Sequence, residues 1–556
     1  MSRQLSSLSD LDTLKKEAKR WLKALRAGDA KAQARLRDAY AKAPSAPTLR
    51  DVQHALALEY GFADWAALKQ TLADRKMTRL SRDARADILL RHVWGGDVGA
   101  AGRLLQHDPT LAHHSLYTAV ICDDIAEVER RLTDNPASAS TKGGPLNWEP
   151  LLYLAYARLP QQAASGQAVA IARLLLDRGA DPAARFTDDW ENPFTVLTGI
   201  IGAGEGGQPP HPEAVALATL LIARGADPYD TQALYNTSLM GDDPTWLDFL
   251  YAQAEMHGVA ARWHAVPPVP FGGVVPLSML DYLLGNAVIQ NHIRRSDWLL
   301  TQGAHADSVH AYSGQKLHTE TRLRGLTAMA DLLIRHGAQP ESLEGMAAFQ
   351  AACMEGDRAA ALVLADADPS YLLDAAPMIA AIESGRADLV NLLVDIGMSS
   401  NVPDKEGVRP LNKAVLANQP AMAQLLIERG AEIDFREPKH GGSPLDWAVH
   451  LGRPALVDLL VPQSRDVFAL ASAGGLARLG DILAADPQRA LERANLSGAT
   501  PLFCLPDHED QAVEIARLLL RHKVDPRATD RNGATAEQIA RQRGLEEAAD
   551  LIRASG

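Results

Sequence analysis

The sequence predicts an all-α protein built as a helical solenoid. Three observations predict it. Apolar residues recur at helical spacing through most of the 556 residues. A Leu-rich helix end closing on Gly-Ala-x-x returns again and again. So does a second phrase, x-Pro-Leu, in which Pro stands where a helix begins. Aromatic residues are only 5% of the chain, and the apolar content is mostly Ala and Leu, which favours packed helices over sheets.

Residues 1–76 read as a small helical module. Ser9 is placed to cap a helix with apolar positions Leu11, Leu14, Ala18, Trp21, Leu22 and Leu25. Gly28 stops it and Asp29 caps the next helix, which runs to about Tyr40. Pro44 and Pro47 break the chain, and two short helices follow on either side of Gly61. Phe62 and Trp65 supply aromatic core to these helices.

From about residue 80 the chain repeats itself. The first phrase is Leu174-Leu175-Leu176-Asp177-Arg178-Gly179-Ala180-Asp181-Pro182, and it returns around Gly225, Gly337 and Gly430, more weakly around Gly303 and Gly397. The second holds Pro150-Leu151, Pro193-Phe194, Pro276-Leu277, Pro410-Leu411, Pro444-Leu445 and Pro501-Leu502. Gly303 to Gly337 is 34 residues, Gly397 to Gly430 is 33 and Pro410 to Pro444 is 34. Each phrase has a physical reason. Pro opens a helix where its missing N–H is not needed. Gly closes one in a left-handed conformation that costs other residues more. The Leu face needs a neighbouring unit to bury it, so units must stack.

With that period and those phrases, residues 80–556 resemble the ankyrin repeat, best preserved at 401–463. About fourteen helix pairs are expected. The family's His after Pro-Leu is replaced by Leu152, Thr195, Ser278, Asn412, Asp446 and Phe503, and Lys523 stands where a terminal Gly belongs. Insertions at 203–211, 257–273 and 309–321 make the middle irregular. The division predicted is a basic module at 1–76, degenerate repeats at 80–342, and more regular repeats with a C-terminal cap at 343–556. The leader is similar to small helical modules that precede ankyrin arrays in some bacterial proteins.

Composition narrows the function classes. A net charge of −13 opposes nucleic acid and anionic membranes. Three scattered cysteines make neither a metal site nor a disulfide framework, and a reducing, cytoplasmic setting is expected. The N-terminus lacks a signal peptide's apolar core, and no stretch reads as a membrane span. Asp123-Asp124-Ile125-Ala126-Glu127 has the outline of an acidic magnesium motif, but it lies where a helix start is needed and has no second motif to face it. His107, His113 and His114 read as solvated histidines. The run Gly202–Gly207 has no preceding strand and no Lys, so it reads as a loop rather than a phosphate cradle. No cofactor and no metal site is expected.

The resemblance implies recognition of a macromolecular partner, a protein above all, on a concave face, by a monomer or weak oligomer. Partners would meet the last turn of each first helix and the loop tips. Those positions are Trp94, Met240, Met354, Leu416 and His450 on helices, and Trp190, Lys405, Val408, Lys439, His440 and Arg531 on loops. Tyr153 and Trp447 fall one place further in and are expected in the core. The competing class is an enzyme or small-molecule binder with a pocket in residues 202–320, drawing on His264, His292 or His305; the sequence leaves the choice open. The module's net charge of +6 against −19 for the remainder predicts that it docks on the array and caps the first repeat near residues 88–105, with Trp21, Leu25, Phe62 or Trp65 covering the apolar face.

Overall fold

The computed structural model describes every residue except 1–2, 4, 6–9, 46, 160–165, 205 and 269–272. Ser9 is outside the described residues; Asp10 caps the first helix through Thr13 N–H, at 2.6 Å. The chain forms two compact units. One holds residues 1–68, 322–325 and 341–556, the other residues 69–321 and 326–340.

In the first unit, helices Leu11–Arg26, Ala30–Ala39 and Leu49–Glu59 make a small bundle. Its core is Leu14, Ala18, Leu22, Val52 and Leu56, with Trp21 donating from Nε1 to the Ala32 carbonyl at 3.1 Å. Thr48 and Asp51 form a capping box that fixes where the third helix starts. The Arg35 guanidinium lies 3.8 Å from the Trp21 ring centre and pairs with Glu17 at 2.7 Å and Glu59 at 2.6 Å.

This bundle docks on the C-terminal repeats. Lys19 pairs with Glu509 at 3.0 Å and donates to the Gly544 carbonyl at 2.8 Å. Arg26 bridges Asp510 and Glu547, and Leu49 N–H donates to Asp510 at 3.2 Å. The expected cap over residues 88–105 is therefore corrected for the first three helices. Trp21 belongs to the bundle's own core, and Leu25 faces Val513 across a cavity of about 780 Å³. In the second unit the beginning of the array is met by residues 69–78, the C-terminal part of a helix: Asp74 pairs with Arg103 at 3.5 Å and His107 at 3.4 Å, and Met77 packs on that unit's core.

The remainder is helix pairs. In the second unit they run from Arg82–Arg91 with Val98–His107 to Leu317–Leu323 with Thr327–Arg335; in the first, from Gly345–Glu355 with Arg358–Ala367 to Ala536–Gln542 with Glu546–Ala554. Among the described residues there are fourteen pairs, one of which has its first helix reduced to the single turn Pro501–Phe503. Each unit has its own apolar core, from Leu89 to Ala338 and from Phe349 to Ile552.

The repeated phrases behave as their chemistry requires, with exceptions. Gly179, Gly225, Gly337 and Gly430 all have positive φ, and Lys523 adopts φ 63° in the same role. Pro150, Pro410 and Pro444 open helices. Pro193 does not: it begins a strand, and the helix starts at Val196 with Thr195 as cap. Pro276 precedes a helix that starts at Met279, capped by Ser278. Residues 309–316 are a hairpin, closed by a bridge between Val309 and Lys316, and helix Leu317–Leu323 follows at once. That stretch is repeat rather than insertion.

Candidate functional site

The second unit carries a cluster of aromatic rings built on a hairpin. Strand β1, Arg185–Thr187, pairs antiparallel with β2, Pro193–Thr195, which sets Phe186 opposite Phe194. Asp188 fixes the turn by accepting N–H bonds from Trp190 at 3.0 Å and Asn192 at 2.8 Å. Phe186 stacks on Trp148 with ring centres 4.2 Å apart and on Phe194 at 5.4 Å. Trp94 stands edge-on to all of them, at 4.9 Å from Phe186, 5.1 Å from Phe194, 5.9 Å from Tyr156 and 6.2 Å from Trp148. Despite these neighbours Trp94 is 41% exposed, and Trp190 at the hairpin tip is 83% exposed.

Polar groups beneath the rings hold them still. The Tyr156 hydroxyl donates to the Thr195 carbonyl at 3.0 Å. Gly199 permits the approach, because a Cβ there would lie 2.3 Å from the Tyr156 ring. Arg158 donates to the carbonyls of Ala155, Ala157, Gly199 and Pro209, at 2.7–2.9 Å. Burial brings its pKa down to about 10. Burial, and after it the Arg158 charge, hold His211 neutral, with a pKa of about 3, and His211 Nδ1 accepts the Glu213 N–H at 3.1 Å. Asp230, half-buried and raised by desolvation, accepts from Thr195 and Thr198 and caps the next helix at Ala233. Glu149 beside Trp148 is raised by burial and by Asp181, and among the described residues its Oε2 makes no hydrogen bond.

The first unit has four similar turns, 404–408, 437–442, 494–499 and 530–534, and its predicted loop residues lie on the first, second and fourth. Each turn is closed by hydrogen bonds between its ends, such as Asp404 N–H to the Val408 carbonyl at 2.9 Å and Asp530 N–H to the Ala534 carbonyl at 2.9 Å. The turns touch. A Cβ on Gly407 would stand 2.8 Å from Pro438, one on Gly441 would stand 2.7 Å from Leu496, and Arg531 N–H donates to the Ser497 carbonyl at 2.8 Å.

Against the predicted positions, Lys405, Lys439, His440, His450, Leu416 and Arg531 are exposed, and Val408 is half-buried. His440 and His450 both stand 5.8 Å from Trp447, which is only partly buried. Met240 is half-buried against the core of its unit. Met354 is corrected: it is 1% exposed inside helix Gly345–Glu355, and a partner would not reach it. Tyr153 is fully buried, as its place in the repeat predicts. The histidines of the competing reading have separate attachments. His264 Nε2 lies 3.1 Å from the Tyr251 hydroxyl, His305 Nδ1 lies 3.0 Å from Asp281, and His292 is lowered by burial. Among the described residues no three His, Cys, Asp or Glu side chains are grouped to hold a metal ion. Asp124 caps helix Ile125–Asp134. Sequence reading missed Phe186, Phe194 and Trp148, whose signal was an aromatic at each end of a turn-forming Asp-Asp-Trp-Glu-Asn run.

Helix pairs of this length, closed by left-handed glycines and in places joined by hairpin turns, form a repeat array. Residues 378–471 match the family model "Ankyrin repeats (3 copies)". The chain carries ankyrin repeats. Over 194 residues it is 28% identical to the putative ankyrin repeat protein YahD of Escherichia coli (strain K12), covering 33% of this chain and 96% of that protein. A crystal structure of an ankyrin repeat domain from Acinetobacter baumannii AYE matches 32% of this chain and 97% of its own, at 24% identity and a TM-score of 0.25. Ankyrin repeats are in general protein–protein interaction modules. Among the described residues no helix is long and apolar enough to cross a membrane.

Proposed function

We propose that the chain recognises a protein partner, and that the second unit receives it on the aromatic cluster around Trp94. One observation carries this reading. Trp94 is 41% exposed although four rings hold it in place. Binding hot spots are enriched in Trp, and a side chain already immobilised loses little entropy when a partner covers it. Trp190, projecting from the same hairpin, extends the surface. Leu416, His450 and the exposed loop residues of the first unit belong to the same kind of surface and are proposed as contacts there. Cys122, Cys353 and Cys504 are unpaired, which fits a reducing, cytoplasmic setting.

The experiment is affinity capture from native lysate with the wild-type chain, Trp94→Glu and Trp190→Glu, each variant first matched to wild type in thermal melting. The reading expects a protein retained by wild type and lost by Trp94→Glu. Retention of the same proteins by both variants would reject it.

A further inference from the structure

One connection of the first unit lacks a hairpin although both of its neighbours carry one. Helices Pro454–Leu460 and Val467–Ser472 are joined by residues 461–466 alone, whereas the connections on either side carry the turns 437–442 and 494–499. Those two turns meet across the gap, Gly441 against Leu496. Between them lies a cavity of about 900 Å³, lined by Arg436, Phe468, Arg489, Arg493, Leu496 and Cys504 among others.

Charge in this cavity is unevenly committed. Its carboxylates are already engaged. Glu437 accepts the N–H groups of Lys439 and His440, at 2.8 and 2.9 Å. Asp446 and Asp466 hold Arg436 at 3.0 and 2.5 Å, and Glu492 holds Arg489 at 2.6 Å. Asp434 accepts from the Ser464 hydroxyl at 2.6 Å and from Arg465 N–H at 2.8 Å. The rim cations are different. Among the described residues the Arg465 guanidinium makes no hydrogen bond or ion pair. That of Arg493 donates only to the carbonyls of Gly498 at 2.8 Å and Thr529 at 3.1 Å. Both are exposed, and Lys439 and Arg531 on the flanking turns likewise lack carboxylate partners among the described residues. Leu496 stands 62% exposed between them.

We propose that this cavity binds an acidic segment of a protein partner. A carboxylate enters past Arg465 and Arg493, where Arg can meet it with two parallel N–H bonds. An apolar neighbour in the segment rests on Leu496 and Phe468. Nucleic acid is the poorer fit, because Asp434, Glu437 and Glu492 line the same cavity and the chain carries −13 overall. The site is independent of the Trp94 surface.

The test is selection of a random, phage-displayed dodecapeptide library on the full chain, with the double variant Arg465→Glu/Arg493→Glu as the comparison target. Lys142→Glu, an exposed site in the second unit, is the control, and the milder pair Arg465→Gln/Arg493→Gln is used if the first variant melts lower than wild type. Enriched peptides are expected to carry Asp or Glu beside apolar residues. Fluorescence anisotropy should find them at least about tenfold weaker on the double variant, unchanged on Lys142→Glu, and weaker when their acids are replaced by amides. The proposal fails if nothing enriches, if the enriched peptides are not acidic, if the double variant binds them equally, or if a single-stranded oligonucleotide of equal charge binds wild type more tightly.

Discussion

Lys19 and Glu509, almost the whole chain apart in sequence, form an ion pair of 3.0 Å in which the Glu509 carboxylate is nearly buried. The same carboxylate accepts the N–H groups of Glu547 and Ala548, at 2.8 and 3.1 Å, and so caps the last helix. One side chain thus ties the N-terminal bundle to the start of helix Glu546–Ala554. Arg26 adds a second tie through Asp510 and Glu547. The cavity of about 780 Å³ beside them leaves charge with a large share of the attachment.

Lys19→Met is expected to destabilise the first unit by about 1.5–3 kcal/mol, the range for hydrogen bonds to charged groups. The buried Glu509 is left without its counter-charge. Urea unfolding at low and high salt checks this. The wild type should lose more stability with salt than the variant does. Hydrogen exchange of residues 546–554 should quicken in the variant.

His211 makes stability depend on pH. Its folded-state pKa, about 3, lies below its ordinary value of 6.5 because burial and Arg158 oppose the charge. A depressed value means that the contribution is whole above pH 6.5 and declines as pH falls toward 3. Between pH 6.5 and 5 the loss from this residue approaches about 2 kcal/mol. Urea midpoints across that range should fall more steeply for wild type than for His211→Asn, which cannot titrate. Equal slopes would reject the assignment.

Phe186→Ala is expected to cost about 2–4 kcal/mol, combining lost buried area with two stacked rings. Its second effect is more specific. Without the edge contact at 4.9 Å, Trp94 should gain mobility, seen as lower fluorescence anisotropy against a background of the other tryptophans held constant.

Lys523→Gly should stabilise by about 0.5–1 kcal/mol, since the residue sits at φ 63° where glycine carries no steric cost. A melting temperature below that of wild type would show that the Lys side chain contributes more than the backbone loses.

Much of the fold was legible because ankyrin-like chemistry is local. Gly179 and Gly430 are read from the end of a Leu run, and Pro410 from the start of the next helix, with no knowledge of distant residues. Pro193 misled because the same dipeptide suits a strand's first residue, and the hairpin partner Phe186 decided between them. Met354 misled for a tertiary reason: Gly325 lets the helix approach so closely that a Cβ there would lie 2.9 Å from the Met354 carbonyl. The docking of Lys19 and Arg26 has no periodic signal at all. Only the +6 of the module announced an acidic receiver, and nothing local said whether the receiver was residues 88–105 or residues 509–547. The cavity below Leu496 was hidden for a similar reason, since it arises from a hairpin that residues 461–466 do not have.

The division of the first unit has a consequence for synthesis. Its opening bundle emerges early, yet the acids that receive it lie at 509, 510 and 547, beyond the entire second unit. At about 5–20 residues per second, the bundle waits roughly half a minute to a minute and a half for its receiver. Meanwhile residues 69–340 can close on their own core. The basic three-helix bundle is therefore made long before its receiver and stays undocked until residues 509–547 have been synthesised.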